Sequence, residues 1–214
     1  PALALHALRP HDKLRLFELH PTEIEVLEST LRQLGAPRRQ AAIAREDGFG
    51  GLKRLLPPPT RRGIVLIDPS YEDKQDYRHT LQAVRDGLER FASGCFAIWY
   101  PLVQRVQAHE MARALERLPV EWLHATLTVR KPSADGLGLH GSGMFIVNPP
   151  WTLHEELRAA LPWLEKILAQ DEHARHTLET SARPAAGSPA AARPRPQSQD
   201  RAPARAQKRS PSRK

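Results

Sequence analysis

Gly63-Ile64-Val65-Leu66-Ile67-Asp68-Pro69-Ser70-Tyr71 is the stretch from which the fold is read. Four consecutive aliphatics predict a strand buried on both faces, as in the centre of a parallel sheet. Asp68 follows the strand at once, and Pro69 fixes the torsion of the turn. Asp68 and Tyr71 are therefore expected over the same end of the sheet. In open α/β sheets that carboxyl end is where ligands bind.

Working outward, strands and helices alternate. Upstream, Leu14 to Leu19 reads as a short strand stopped by His20-Pro21. A Thr22-x-x-Glu25 capping box opens a helix carrying Ile24, Leu27, Leu31 and Leu34, and Gly35 ends it. Gln40 to Ala44 is a weaker strand, and Asp47-Gly48 turns into a short helix before Pro57-Pro58-Pro59. Pro1 to Leu8 has helical character. Downstream, Asp76 to Phe91 has the apolar spacing of a helix, Cys95 to Tyr100 of a buried strand, and Val103 to Leu118 of a second helix. Trp122–Val129 and Met144–Val147 are expected as an antiparallel pair that adds an edge to the sheet. A second capping box, Thr152 with Glu155, precedes a helix bearing Leu157, Leu161, Leu164 and Leu168. Arg175 to Glu179 offers one last strand. The expected fold class is α/β, with helices on both faces of the sheet.

Composition separates the two ends of the chain. Of 214 residues, 32 are Lys or Arg and 24 Asp or Glu, giving a formal charge of +8. Residues 181–214 hold nine of those bases, one acid and six prolines, with nothing apolar larger than Ala. The other 180 residues balance, so the net charge belongs to the tail and not to a basic folded face. The tail is expected to be disordered, because it has no apolar surface to offset the entropy of ordering. Its bases suit non-specific contacts with RNA phosphates, or have no partner at all. The single cysteine, Cys95, excludes an internal disulfide and fits a reducing, cytoplasmic compartment. No apolar run approaches the roughly 18 residues of a membrane span. Arg9, His11, Asp12 and Lys13 break up any signal-peptide core.

Three acidic residues fall at strand ends: Glu18, Asp47 and Asp68. Each also has a structural reading: Glu18 as a helix cap, Asp47 as a turn residue beside Gly48, and Asp68 as an N-cap. Together on one rim they suit a nucleotide, since a carboxylate accepts from both ribose hydroxyls. The Asp68 turn suits an amino group on an aromatic ring. Such a nitrogen is a poor nucleophile because its lone pair is delocalised. Two acceptors, the Asp68 carboxylate and the Pro69 carbonyl, would hold its hydrogens and direct the lone pair out of plane. Tyr71 is expected to stack on the base. Methyl transfer from a sulfonium then requires alignment more than acid–base chemistry. His173 and His176 have a spacing seen in metal sites, but no further ligand accompanies them, and no metal is expected. Trp99-Tyr100 reads as core.

Asp68-Pro69-Ser70-Tyr71 resembles motif IV of the N6-adenine and N4-cytosine methyltransferases. Several other segments occur with it in a fixed order: Glu18-Leu19-His20-Pro21, Asp47-Gly48-Phe49, Arg61 to Pro69, Ala97-Ile98-Trp99-Tyr100-Pro101, Gly141-Ser142-Gly143-Met144 and Asn148-Pro149-Pro150-Trp151. The set resembles the RlmJ-type 23S rRNA adenine-N6 methyltransferases of bacteria over about residues 1 to 170. This resemblance implies a Rossmann-like methyltransferase sheet, S-adenosylmethionine as cofactor and 23S rRNA as partner, without metal or membrane. It implies that Glu18 binds the cofactor's ribose and that Asp47 and Gly48 hold its adenine. Asp68 would meet the cofactor and accept from the target N6 amino group, with Pro69 and Tyr71 shaping the base pocket. Domain limits of 1–180 for a partial methyltransferase domain and 181–214 for the tail follow.

Two departures stand out. The family's second proline is Ser70 here, which restores an N–H and loosens the turn. The family's first strand and glycine-rich loop have no counterpart before Leu14, so the sheet is expected to lack its central strand. Two other readings stay open: an RNA-binding or interaction protein that keeps the fold without catalysis, and a DNA adenine-N6 methyltransferase.

Overall fold

The computed structural model of the chain describes residues 1–136 and 138–181. The expectation for the tail lies outside the described residues, apart from Ser181. In chain order the elements are α1 (Ala2–Ala7), β1 (Leu14–Phe17), α2 (Pro21–Gln33), β2 (Ala41–Ala44), α3 (Gly48–Leu55) and β3 (Ile64–Ile67). They continue with α4 (Gln75–Arg90), β4 (Cys95–Leu102), α5 (Val106–Glu116), β5 (Trp122–Thr128), β6 (Gly141–Val147), α6 (Leu153–Leu168) and β7 (Arg175–Thr180). The alternation gives a mixed α/β, Rossmann-like architecture, and the last predicted strand is present as β7.

The strands form two sheets. β1 and β2 pair in parallel, from Leu14 opposite Ala41 to Phe17 opposite Ala44. The second sheet runs β3-β4-β6-β5-β7. β3 and β4 are parallel, with Ile67 opposite Ile98, and every other pairing is antiparallel. The β5–β6 hairpin does not form the edge that its sequence suggests. β6 inserts between β4 and β5, and β7 takes the edge. The reason is burial: Phe145, Ile146 and Val147 of β6 are almost wholly enclosed, while β7 alternates toward solvent.

A second correction concerns β3. Its four aliphatics predicted burial on both faces, yet Ile64 is 71% and Leu66 63% exposed. β3 pairs only with β4, and its other edge has no strand beside it among the described residues. β1 lies in the other sheet. The break falls where the resemblance implied a further strand.

α3 links the two sheets. Gly51 lets it approach β1 closely: a Cβ there would lie 2.1 Å from a ring carbon of Phe17. On its other side Lys53 pairs with Asp86 of α4 at 2.8 Å. One main core packs α4 and α5 on the second sheet through Val84, Phe96, Ile98, Met111, Leu115 and Phe145. On the other face, Leu161 of α6 packs with Leu123, Ala125 and Ile146. Each such side chain, fully buried, stabilises by about 1.5–3 kcal/mol.

The ends of α2 and α6 follow their chemistry in one case and depart from it in two. Gly35, at φ 67°, ends α2 in a Schellman motif: the Gly35 N–H donates to Arg32 O and the Ala36 N–H to Leu31 O, both at 3.0 Å. The Thr22 capping box does not form. Pro21, with its preset φ, takes the first helical position and makes His20 the N-cap, two residues before Thr22. Thr152 is the N-cap of α6 but has helical torsions and no side-chain cap bond. No described helix is long and apolar enough to cross a membrane.

Candidate active site at the strand ends

Asp68 and Glu18 follow β3 and β1 directly, and Asp47 stands three residues past the end of β2, each beyond the carboxyl end of a strand in a parallel pair. Their environments differ. Asp68 is exposed, and no hydrogen bond or ion pair engages its carboxylate among the described residues. The surrounding protein still removes enough water to push the carboxyl above its ordinary value. This leaves an acceptor open to solvent, held at the end of a rigid strand.

Asp47 has the structural role that its sequence also allowed. It is the N-cap of α3, and its two oxygens accept from the N–H groups of Phe49 (3.1 Å) and Gly50 (3.0 Å). Gly48 is the first residue of that helix. Glu18 is half-engaged. Its Oε1 accepts from the Leu19 and His20 N–H groups, both at 2.8 Å, which leaves Oε2 for a ligand. Its own N–H donates to Ala44 O, so the β1 end is tied to β2. A groove of about 370 Å³ runs from Asp47 and Phe49 to His79 and Gln82 of α4.

Tyr71 does not face a ligand. Its side chain is 2% exposed, its ring packs 4.7 Å from that of Tyr77, and its hydroxyl donates to Trp99 O at 2.8 Å. A ring so enclosed cannot stack on a base, which corrects the expectation from sequence. Instead, Tyr71 fixes the turn. It sits at φ 56°, a left-handed conformation uncommon outside glycine. Its N–H donates to Asp76 Oδ2 at 3.1 Å, and its carbonyl accepts from Arg105 Nη1 at 2.8 Å. Ser70 Oγ reaches the same Asp76 oxygen at 3.5 Å, so the serine adds a weak tether where the family has proline.

Asp76 and Arg105 went unnoticed in the sequence. Asp76 was within reach of inspection, an acid in the first turn of a helix five residues after Tyr71. Arg105 lies 34 residues from its partner, and no local pattern marks it. The Asn-Pro-Pro-Trp segment is structural: Asn148 Nδ2 donates to Ala92 O and Gly94 O at 2.8 and 2.9 Å. His173 and His176 do not converge on one point, since each faces its own carboxylate, Asp171 and Glu165.

An α/β sheet with acidic residues where its parallel strands end defines a Rossmann-like protein with a candidate nucleotide-binding rim. The family model described as "Ribosomal RNA large subunit methyltransferase D, RlmJ" matches residues 1–181, and the chain belongs to that family. It is 39% identical over 168 residues to a "Ribosomal RNA large subunit methyltransferase J" of Escherichia coli (strain K12), covering 78% of this chain and 59% of that protein. A protein of the same name from Haemophilus influenzae is 36% identical over 179 residues, with 84% and 62% covered. The chain thus spans about six-tenths of the length of these curated relatives. Among solved structures it resembles protein LPL1258 of Legionella pneumophila, with a TM-score of 0.75 and 30% identity over 85% of this chain and 66% of that one.

Proposed function

We propose that the chain acts in methylating N6 of an adenine in 23S rRNA, with S-adenosylmethionine as methyl donor and Asp68 as the acceptor for the target amino group. The observation that carries this is the Asp68 carboxylate, free of partners and held at the end of β3. Asp68 and the Pro69 carbonyl would take the two amino hydrogens and turn the nitrogen lone pair toward the methyl group. Tyr71, Asp76 and Arg105 would keep that turn rigid without touching the base. The free Oε2 of Glu18 fits a ribose hydroxyl, and Asp47 with Gly48 would flank the cofactor's adenine from the start of α3. Bound there, S-adenosylmethionine supplies an electrophilic methyl group on sulfur. With an rRNA substrate of this kind, the work would fall in the cytoplasm.

A second reading draws on the break between β1 and β3. Glu18 and Asp68 stand on separate sheets, and a chain that keeps the fold and contacts RNA without catalysis would look the same. Radiolabelled methyl transfer to 23S rRNA, run beside a DNA control, separates the readings. Asp68→Ala should cut transfer at least 100-fold, about 2.7 kcal/mol of barrier, while calorimetry still detects the cofactor. Near-normal turnover in that variant refutes the role of Asp68. Binding of rRNA by a chain that does not bind the cofactor would favour the second reading.

A further inference from the structure

A cluster of ligating side chains lies under α5, away from the Asp68 rim. His124 of β5 is 8% exposed, and its Nε2 lies 2.6 Å from the Tyr100 hydroxyl. Its Nδ1 faces Glu116, the last residue of α5, at 3.8 Å from Oε1. Glu179 of β7 is directly cross-strand from His124, on the same face of the sheet. One ligand atom each from Glu116, His124 and Glu179 lies within 4.8 Å of the other two. No lysine or arginine pairs with either carboxylate among the described residues.

We propose that Glu116, His124 and Glu179 bind one divalent transition-metal ion, zinc by preference, which clasps α5 and the edge strand β7 to β5. Charge is the first argument. Two carboxylates and a neutral imidazole carry a charge that one dication cancels, and among the described residues no lysine or arginine forms an ion pair with either carboxylate. The His124 Nδ1 faces the Glu116 carboxylate, so a lone pair on it points into the space shared with the two carboxylates. With the metal on Nδ1, the ring proton would sit on Nε2 and be donated to the Tyr100 hydroxyl, the arrangement that orients a ligating histidine.

Packing is the second argument. Tyr100 reaches His124 across Gly143, where a Cβ would lie 2.2 Å from the tyrosine ring. A side chain at that position would displace the residue that orients His124. Distance is the third. Tetrahedral zinc with bonds of about 2.0–2.1 Å sets its ligand atoms about 3.3 Å apart. Rotation of the solvent-reaching ends of Glu116 and Glu179 closes the remaining gap and leaves one position for water. The α5 carboxyl terminus adds its negative dipole end beside the cation. A mixed nitrogen and oxygen donor set suits zinc or manganese better than magnesium, which prefers oxygen alone. Three strand spacings, about 14 Å, separate β5 from β3, so the ion has a structural role and takes no part in methyl transfer.

The test titrates the 214-residue chain, first stripped of metal by a chelator, with cobalt(II) and follows its visible absorption. A band that saturates at one equivalent and bleaches on adding zinc is expected, together with a higher melting temperature in zinc. Glu179→Gln and Glu116→Gln each alter a partly exposed side chain and should weaken binding at least tenfold. Tyr100→Phe should weaken it about 10- to 100-fold through the histidine alone. His173→Ala should leave it unchanged. The absence of a saturating band, wild-type affinity in both glutamate variants, or loss of binding in His173→Ala would each overturn the site.

Discussion

At the residue scale, Asp68 sets reactivity against stability. Its carboxyl is held above the ordinary value by burial, so the folded chain binds that proton more tightly than the unfolded chain does. Folding is therefore penalised as pH rises from below the unfolded carboxyl range, about 3.9, through the folded value, and the penalty is complete above it. Asp68→Asn should raise the melting temperature at pH 7, and the gain should vanish near pH 3. Thermal melts across that range read it directly. A lower melting temperature at pH 7 would mean that a stabilising partner holds the carboxylate. Tyr71 works the other way: its left-handed backbone is strained, and hydrogen bonds to Asp76, Arg105 and Trp99 hold it there.

At the element scale, α4 carries a glycine that helix propensity alone would disfavour. Gly87→Ala gains about 1 kcal/mol of propensity in an isolated helix. Here a Cβ would lie 2.5 Å from the ring of Phe96, which is wholly buried in β4. Overpacking of this kind costs about 1–3 kcal/mol. The variant should therefore lose up to about 2 kcal/mol in urea denaturation. A stabilised variant would show that Phe96 can turn aside. The capping boxes teach a related lesson. Thr22 and Glu25 have the right spacing, but Pro21 at the first helical position puts the N-cap at His20, two residues upstream, and a motif out of phase with its helix makes no cap.

At the scale of the whole molecule, the two sheets leave apolar surface at the outer edge of β3. Ile64 and Leu66 face solvent beside unpaired backbone groups, a template for pairing with another chain. The chain should associate as its concentration rises, as measured by light scattering after gel filtration. Leu66→Lys, at an exposed position, should raise the monomer fraction without lowering the melting temperature. A wild-type chain that stays monomeric at every concentration would show that this edge is covered.

The order of elements, the Schellman end of α2 and the acidic residues at strand ends were all legible in the sequence. Each depends on spacing along a few residues, and local sterics and hydrogen bonds fix such features. The family resemblance was legible too, in motifs quoted directly from the chain. Tertiary structure decided the rest. It turned Tyr71 inward, gave both Asp47 oxygens to α3 and placed β6 inside the sheet. It also brought Glu116, His124 and Glu179 to one point. An apolar run such as Ile64–Ile67 records which residues favour burial, whereas the strands and helices that cover them come from distant parts of the chain. Exposure, partners and convergence are properties of that packing, and no local pattern encodes them.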